Sequence, residues 1–181
     1  MKRGVVLTKI GEFKLNKTNS LVINLISLLV FVLATSAFLK LYNLNFLNYI
    51  LNINFLLLIF CLFVIIIILH EFIHGIAYKF FGAKLKFGFK HLNIYTADTS
   101  GNVYGTKEMF VIMFSPLLFL SALFIILSYF FKKTYFYFAF CTIFNMACSI
   151  GDIILFIYML SKGGDCKIKD TNHGFLMYKK S

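Results

Sequence analysis

Residues 55–69, FLLLIFCLFVIIIIL, form an unbroken apolar run of fifteen that ends on His70 and Glu71. Carried on to Tyr78, the segment is 24 residues long, enough to cross the roughly 20-residue hydrocarbon layer of a bilayer. Backbone amides in lipid have no water to bond, so a run of this length has to be a helix. Three further segments behave alike: Leu21–Leu39 and Met109–Phe131 carry no charge, and Thr134–Leu160 carries one, Asp152. A mean hydropathy of +0.86 and 14% charged residues fit this reading, since a soluble domain carries about a quarter. The expectation is an all-α integral membrane protein with four transmembrane helices, spans 21–39, 55–78, 109–131 and 134–160, in one transmembrane domain over residues 1–181. The first span exceeds a signal-peptide core and no small-x-small step follows it closely, so it is expected to be retained.

The net charge of +11 suits topology better than nucleic acid. Fifteen of the eighteen basic residues lie before the first span, between the second and third, or after the fourth. Only Lys40, Lys132 and Lys133 fall on the other side. By the positive-inside rule, both termini and the 81–108 connection are expected in the cytoplasm, in a cell membrane. The lysines flank span ends, where anionic headgroups attract them, rather than gathering with aromatics in one groove. Cys61, Cys141 and Cys148 lie in spans and Cys166 in the basic 161–181 tail; with no Cys-x-x-Cys pair they read as small packing residues.

Between the second and third spans, Leu85, Phe87 and Phe89 alternate with Lys84, Lys86, Gly88 and Lys90, which is strand periodicity. Leu92, Ile94 and Thr96 extend the strand, and Asp98–Asn102 is turn composition with Val103 and Tyr104 beyond. The 81–108 loop is therefore expected to hold a small β-hairpin turning at 98–102, or else an irregular amphipathic loop. Residues 1–20 read as a short basic lead, 40–54 as a connection at the outer interface, and 161–181 as a loose basic tail.

His70-Glu71-Phe72-Ile73-His74 is the pattern that carries chemistry. Residues four apart share a helix face, so both imidazoles can address one metal while Glu71 takes a proton from water beside it. Glutamate in lipid is costly without a partner, and metal in a wetted cleft supplies one. Two other readings keep the same residues: a polar cluster at the helix end without metal, and a proton or ion relay. A catalytic zinc normally has three protein ligands. The candidates for the third are Asp98, Glu108, His91, His173 and Asp152. Depth favours Asp152: His70 and His74 lie about 22–28 Å below Phe55 along a helix, and Asp152 about 27 Å below Thr134 in a helix of the same direction. Asp98 is accounted for by its turn, Glu108 by a helix N-terminus, and His173 by the tail.

Cys141, Asn145, Cys148, Ser149 and Asp152 share roughly a 100° sector, a polar stripe on the fourth span. Asn145 is a candidate hydrogen-bond donor to a substrate carbonyl or developing oxyanion, or a helix–helix contact. Pro116, seven residues into the third span, frees a carbonyl and can kink the helix, making room for substrate or simply being tolerated.

His70–Gly75, the Ser115-Pro116 step and Asn145–Asp152 (NMACSIGD) together resemble the family of small bacterial membrane proteins described as "Putative zincin peptidase", which is similar to the site-2 intramembrane metalloproteases. The resemblance runs over roughly residues 55–160. It implies a zinc cofactor held by His70, His74 and Asp152, Glu71 as general base, a strand-forming segment at 84–104, and a membrane protein or membrane-bound peptide as substrate. The chain departs from the larger enzymes in lacking a proline after Asn145 and in carrying Ile150-Gly151-Asp152 where they carry Leu-Asp-Gly. Two further functions remain open beside the peptidase: a zinc-dependent membrane enzyme acting on a lipid or small amide, and a transporter or metal-binding protein.

Overall fold

The computed structural model describes residues 7–42, 52–90, 93–164, 166–171 and 174–180. His91, Leu92, His173 and most of the 40–54 connection lie outside the described residues. The order is β1 (Leu7–Lys14), α1 (Lys17–Leu41), α2 (Ile53–Phe80), β2 (Leu85–Lys90), β3 (Asn93–Asp98), β4 (Val103–Gly105), α3 (Thr106–Phe130), α4 (Tyr135–Cys148), α5 (Ile150–Ser161), β5 (Lys167–Thr171) and β6 (Gly174–Lys180).

Four helical spans, with α4 and α5 acting together over Tyr135–Ser161, are long and apolar enough to cross a bilayer. Asn16 and Asn52 cap α1 and α2 by accepting from backbone N–H groups of the first turn. Glu108 does the equivalent at α3, accepting from the Gly105 N–H at 2.6 Å, as a helix-start acid should. The fourth span is not one uninterrupted helix: Ser149 separates α4 from α5 as a turn. Its N–H and hydroxyl both donate to the Asn145 carbonyl, and its own carbonyl accepts from Ile153.

Lipid-facing leucines and isoleucines cover the outside of α1 and α2, among them Leu25, Leu29, Leu57 and Ile68. Inside, helices meet through aromatics: Phe63 stacks on Phe144 at 3.8 Å, and Phe31 sets its edge on both. That trio ties α1, α2 and α4 together; each such pair contributes about 0.5–1.5 kcal/mol beyond burial.

A hairpin stands between the second and third spans, with Leu85–Lys90 antiparallel to Asn93–Asp98. Its closing pair is Lys90 with Asn93, so the strands meet there and not at 98–102 as the turn composition suggested. Asp98–Ser100 instead closes the hairpin's far end, where the Thr99 N–H donates to the Lys84 carbonyl. Val103–Gly105 does not return to β2; it pairs with β5. The N-terminal lead and the C-terminal segment are likewise not loose: they join in an antiparallel sheet of order β1-β6-β5-β4. This sheet puts β1 and β6, the first and last described strands, on the hairpin's side of the spans. Gly174 permits it, since its φ of 135° and a β1 carbonyl inside the volume of any Cβ exclude other residues.

The hairpin seats on the motif helix. A Cβ at Gly75 would lie 3.1 Å from the Phe87 ring and 3.3 Å from Leu85, so glycine sets the close approach. Above it the Thr96 hydroxyl donates to the Glu71 backbone carbonyl at 2.9 Å.

Candidate metal centre

His70, Glu71 and His74 sit on the last three turns of α2, where the apolar run gives way to the polar end of the span. Their ligand atoms lie within 4.8 Å of one another, a group that could hold a metal ion. Both histidines are buried. Asp152, in the first turn of α5, reaches the same point: its Oδ2 is 3.1 Å from His70 Nε2 and 3.4 Å from His74 Nε2. Two helices that run in the same direction thus carry this carboxylate and the two imidazoles to one layer.

The opposite nitrogens of the two rings are each held by a carbonyl-type acceptor. His70 Nδ1 donates to Asn145 Oδ1 at 3.2 Å, and His74 Nδ1 donates to the Ile112 backbone carbonyl at 2.8 Å. An acceptor at Nδ1 takes the proton of that nitrogen, so Nε2 is the nitrogen each ring turns toward Asp152 and would offer to a metal.

The Ile112 carbonyl is available because of Pro116. In an α-helix the carbonyl of residue i bonds the N–H of residue i+4, and proline has none. α3 continues through Pro116, and the freed carbonyl accepts from His74 and, at 3.1 Å, from the Ser115 hydroxyl. Proline therefore does more than bend or be tolerated: it leaves an acceptor pointing at the motif helix.

Asn145 is fully buried and its amide is occupied at both ends. While Oδ1 accepts from His70, Nδ2 lies 3.2 Å from the Pro116 carbonyl and 3.1 Å from Ser121 Oγ. The amide thus links α4, α3 and the histidine.

The remaining described candidates, Asp98 and Glu108, go elsewhere. Asp98 accepts from the Lys84 and Ser100 N–H groups, the Ser100 hydroxyl and the Tyr104 hydroxyl at 2.7–3.0 Å. Burial would raise its carboxyl, but these donors outweigh it and hold Asp98 below the usual carboxylate range. Burial and the Asp98 bond push the Tyr104 hydroxyl up in turn. A residue the sequence reading did not single out, Asp170 on β5, accepts from the Asp98 and Thr171 N–H groups at 2.8 Å. Burial dominates there and pushes its carboxyl up to about 6. Nothing in the local sequence marks it, because its partner Asp98 lies 72 residues away in the chain.

A cavity of about 600 Å³ opens on the centre, lined by His70, Glu71, His74 and Asp152, by β3 from Asn93 to Ala97, and by one face of α1. It is mostly apolar in lining, with polar groups at the histidines, on β3 and on the α1 face, the character of a binding site rather than a packing void.

No curated protein and no solved structure matches the chain. The family model described as "Putative zincin peptidase" matches residues 63–167, which take in the motif, the hairpin, Pro116, Asn145 and Asp152. With its four spans and its histidine–glutamate cluster, the chain belongs to this family of membrane zincins.

Proposed function

We propose that the chain is an intramembrane zinc peptidase of the site-2 kind, with His70, His74 and Asp152 as metal ligands and Glu71 as general base. The observation that carries the ligand assignment is the meeting of two Nε2 atoms with one carboxylate oxygen at 3.1 and 3.4 Å. Protonated imidazoles would hold the carboxylate at these distances by hydrogen bonds, and a cation would hold all three atoms by their lone pairs. For bonds of about 2.0–2.1 Å at tetrahedral angles, zinc spaces its ligands about 3.4 Å apart, so the residues present fit the metal. Bound zinc supplies Lewis acidity, activating water at neutral pH and polarising a carbonyl.

The chain's own groups do the rest. Asn145 and the Ile112 carbonyl hold the two imidazoles in the tautomer that presents Nε2. Glu71 lines the cavity beside them, takes the proton of the attacking water and delivers it to the departing amine nitrogen. Residues two apart on a strand point their amides the same way. The Asp98 N–H leaves the hairpin to reach Asp170, so those of Thr96 and Ile94 also point off β3's outer edge. That edge lines the cavity and can pair with an unwound substrate backbone. The substrate is a membrane protein or a membrane-bound peptide, cut near the cytoplasmic leaflet. The lysine distribution supports a cytoplasmic position for the sheet and both termini, which a C-terminal reporter fusion reads directly.

The test is cleavage, in liposomes, of single-span peptides whose centre carries a helix-breaking Asn-Pro-Gly. The zinc-loaded chain should cut them and Glu71→Gln should not, although it keeps its metal. Equal turnover by Glu71→Gln would remove Glu71 as the base.

A further inference from the structure

α1 is the most lipid-exposed of the spans, yet one of its faces is turned to the metal centre. Ile23, Asn24, Ser27, Leu28 and Phe31 line the cavity opposite the motif helix. Their spacing of three and four residues is one helix face. Two contacts fix where that face stands. Ile23 Cγ2 lies 3.4 Å from where a Cβ on Gly151 would sit, which sets α1 against α5 one residue from Asp152. One turn below Asn24, Ser20 accepts a hydrogen bond from the Asn93 side chain, joining α1 to the start of β3.

Depth agrees. Asn24 and Ser27 are about 10 and 15 Å along α1 from Lys17, and His74 and His70 are about 9 and 15 Å from Phe80 at the same end of α2. An amide and a hydroxyl thus stand level with the two histidines, across the cavity from them.

Neither side chain has a hydrogen-bond partner among the described residues. Four serines in the other spans show the alternative, while the exposed Ser36 of α1 resembles Ser27 in having no such bond among the described residues. Ser115, Ser128, Ser149 and Ser161 each donate back to a carbonyl of their own span, the usual way a hydroxyl is satisfied in an apolar helix. Ser27 does not. An unpartnered amide at membrane depth costs free energy, and leucine at the same position would not. The cost is recovered if something entering the cavity bonds to it.

We propose that Asn24 and Ser27 form a polar subsite that hydrogen-bonds the exposed backbone of an unwound transmembrane segment lying between α1 and the β3 edge. The subsite rests on the peptidase reading and names what selects its substrate. A segment that stays helical bonds its own amides and has nothing to offer Asn24. A segment opened by glycine or proline presents free carbonyls and N–H groups, which an amide can meet as donor and acceptor at once.

The experiment measures binding, so that it does not depend on turnover. Glu71→Gln protein in nanodiscs is titrated with two fluorescent single-span peptides of leucine and alanine, one uninterrupted and one with a central Asn-Pro-Gly. The parent should prefer the broken peptide. Asn24→Leu and Ser27→Ala should each weaken its binding about fivefold, the effect of one lost hydrogen bond, and leave the uninterrupted peptide unchanged. Ser36→Ala, which removes a hydroxyl from an exposed position of α1, should change neither. Unchanged binding of the broken peptide in both variants would overturn the subsite. So would an equal loss for both peptides, which would make the face a packing surface, and so would a parent without preference. A preference that depends on Asn24, found in a chain that cuts neither peptide with Glu71 intact, would instead keep the subsite and sink the peptidase reading.

Discussion

Replacing Pro116 with alanine should make the protein more stable and bind zinc more weakly. Proline inside a helix costs about 3 kcal/mol relative to alanine, through the lost N–H bond and the clash with the carbonyl four residues back. Alanine restores an N–H at 116, whose natural acceptor is the Ile112 carbonyl now held by His74 at 2.8 Å. Carbonyls have two lone pairs, so the histidine need not be expelled, but the acceptor turns back toward the helix axis and is shared with Ser115 as well. Loss of a partner that orients a metal-bound histidine typically costs 10–100-fold in affinity. The metal-free variant should therefore resist unfolding by up to about 3 kcal/mol more than the parent, while its zinc Kd rises at least tenfold. Denaturant unfolding in detergent with chelator gives the first quantity and competition with a chromophoric chelator the second. Opposite signs in the two assays are the signature. If Pro116→Ala binds zinc as tightly as the parent, the freed carbonyl does not position His74.

Asn145→Leu removes the amide that bridges His70 to the Pro116 carbonyl and Ser121 with little change in volume, and should also raise the zinc Kd 10–100-fold in a folded protein; unchanged affinity would make Asn145 a packing residue only. Gly75→Leu drives a side chain into Phe87 and Leu85 and should cost about 1–3 kcal/mol, seen as faster tryptic cleavage at Lys86 and Lys90, whereas an unaltered cleavage rate would mean the hairpin is not seated there. Asp170, raised by burial to about 6 and faced by Asp98, Tyr78 and Tyr104, holds more protons in the folded chain than in the unfolded one. Its contribution is full below about pH 4 and is lost as pH rises through about 6, so the stability difference between the parent and Asp170→Asn should fall across that window; a flat difference would refute it.

The spans and the centre were legible because helices in lipid convert sequence distance to depth at a fixed rise. Counting from Phe55 and from Thr134 put His70, His74 and Asp152 in one layer, and the side chains do converge there. The Asp98 turn and the Glu108 cap were legible because both are local bonds. The hairpin's turn was misplaced although the signal was present. Leu85, Phe87 and Phe89 are odd positions, while Ile94 and Thr96 are even, and a strand changes phase only by turning or bulging. The change falls between Phe89 and Ile94, and weighting the Asp98–Asn102 composition over it moved the turn eight residues too far. The four-stranded sheet left no such trace: β1 and β6 are short basic strands whose partners lie at opposite ends of the chain. Pro116 and Asn145 were visible as residues but not as supports. Their roles depend on which carbonyl and which imidazole nitrogen meet across two helices.

Two assignments of the centre compete, and they differ in one carboxylate. His70, Glu71 and His74 alone bring their ligand atoms within 4.8 Å, while the proposed peptidase takes Asp152 as the third ligand and reserves Glu71 for the proton. Zinc content per chain, measured by plasma mass spectrometry on purified parent, Glu71→Gln and Asp152→Ala proteins, separates them. With Asp152 as ligand, about one zinc should be found in the parent and in Glu71→Gln, and the loss in Asp152→Ala should be as complete as in His70→Ala or His74→Ala. Zinc retained by Asp152→Ala but lost from Glu71→Gln would contradict that assignment and make Glu71 the ligand.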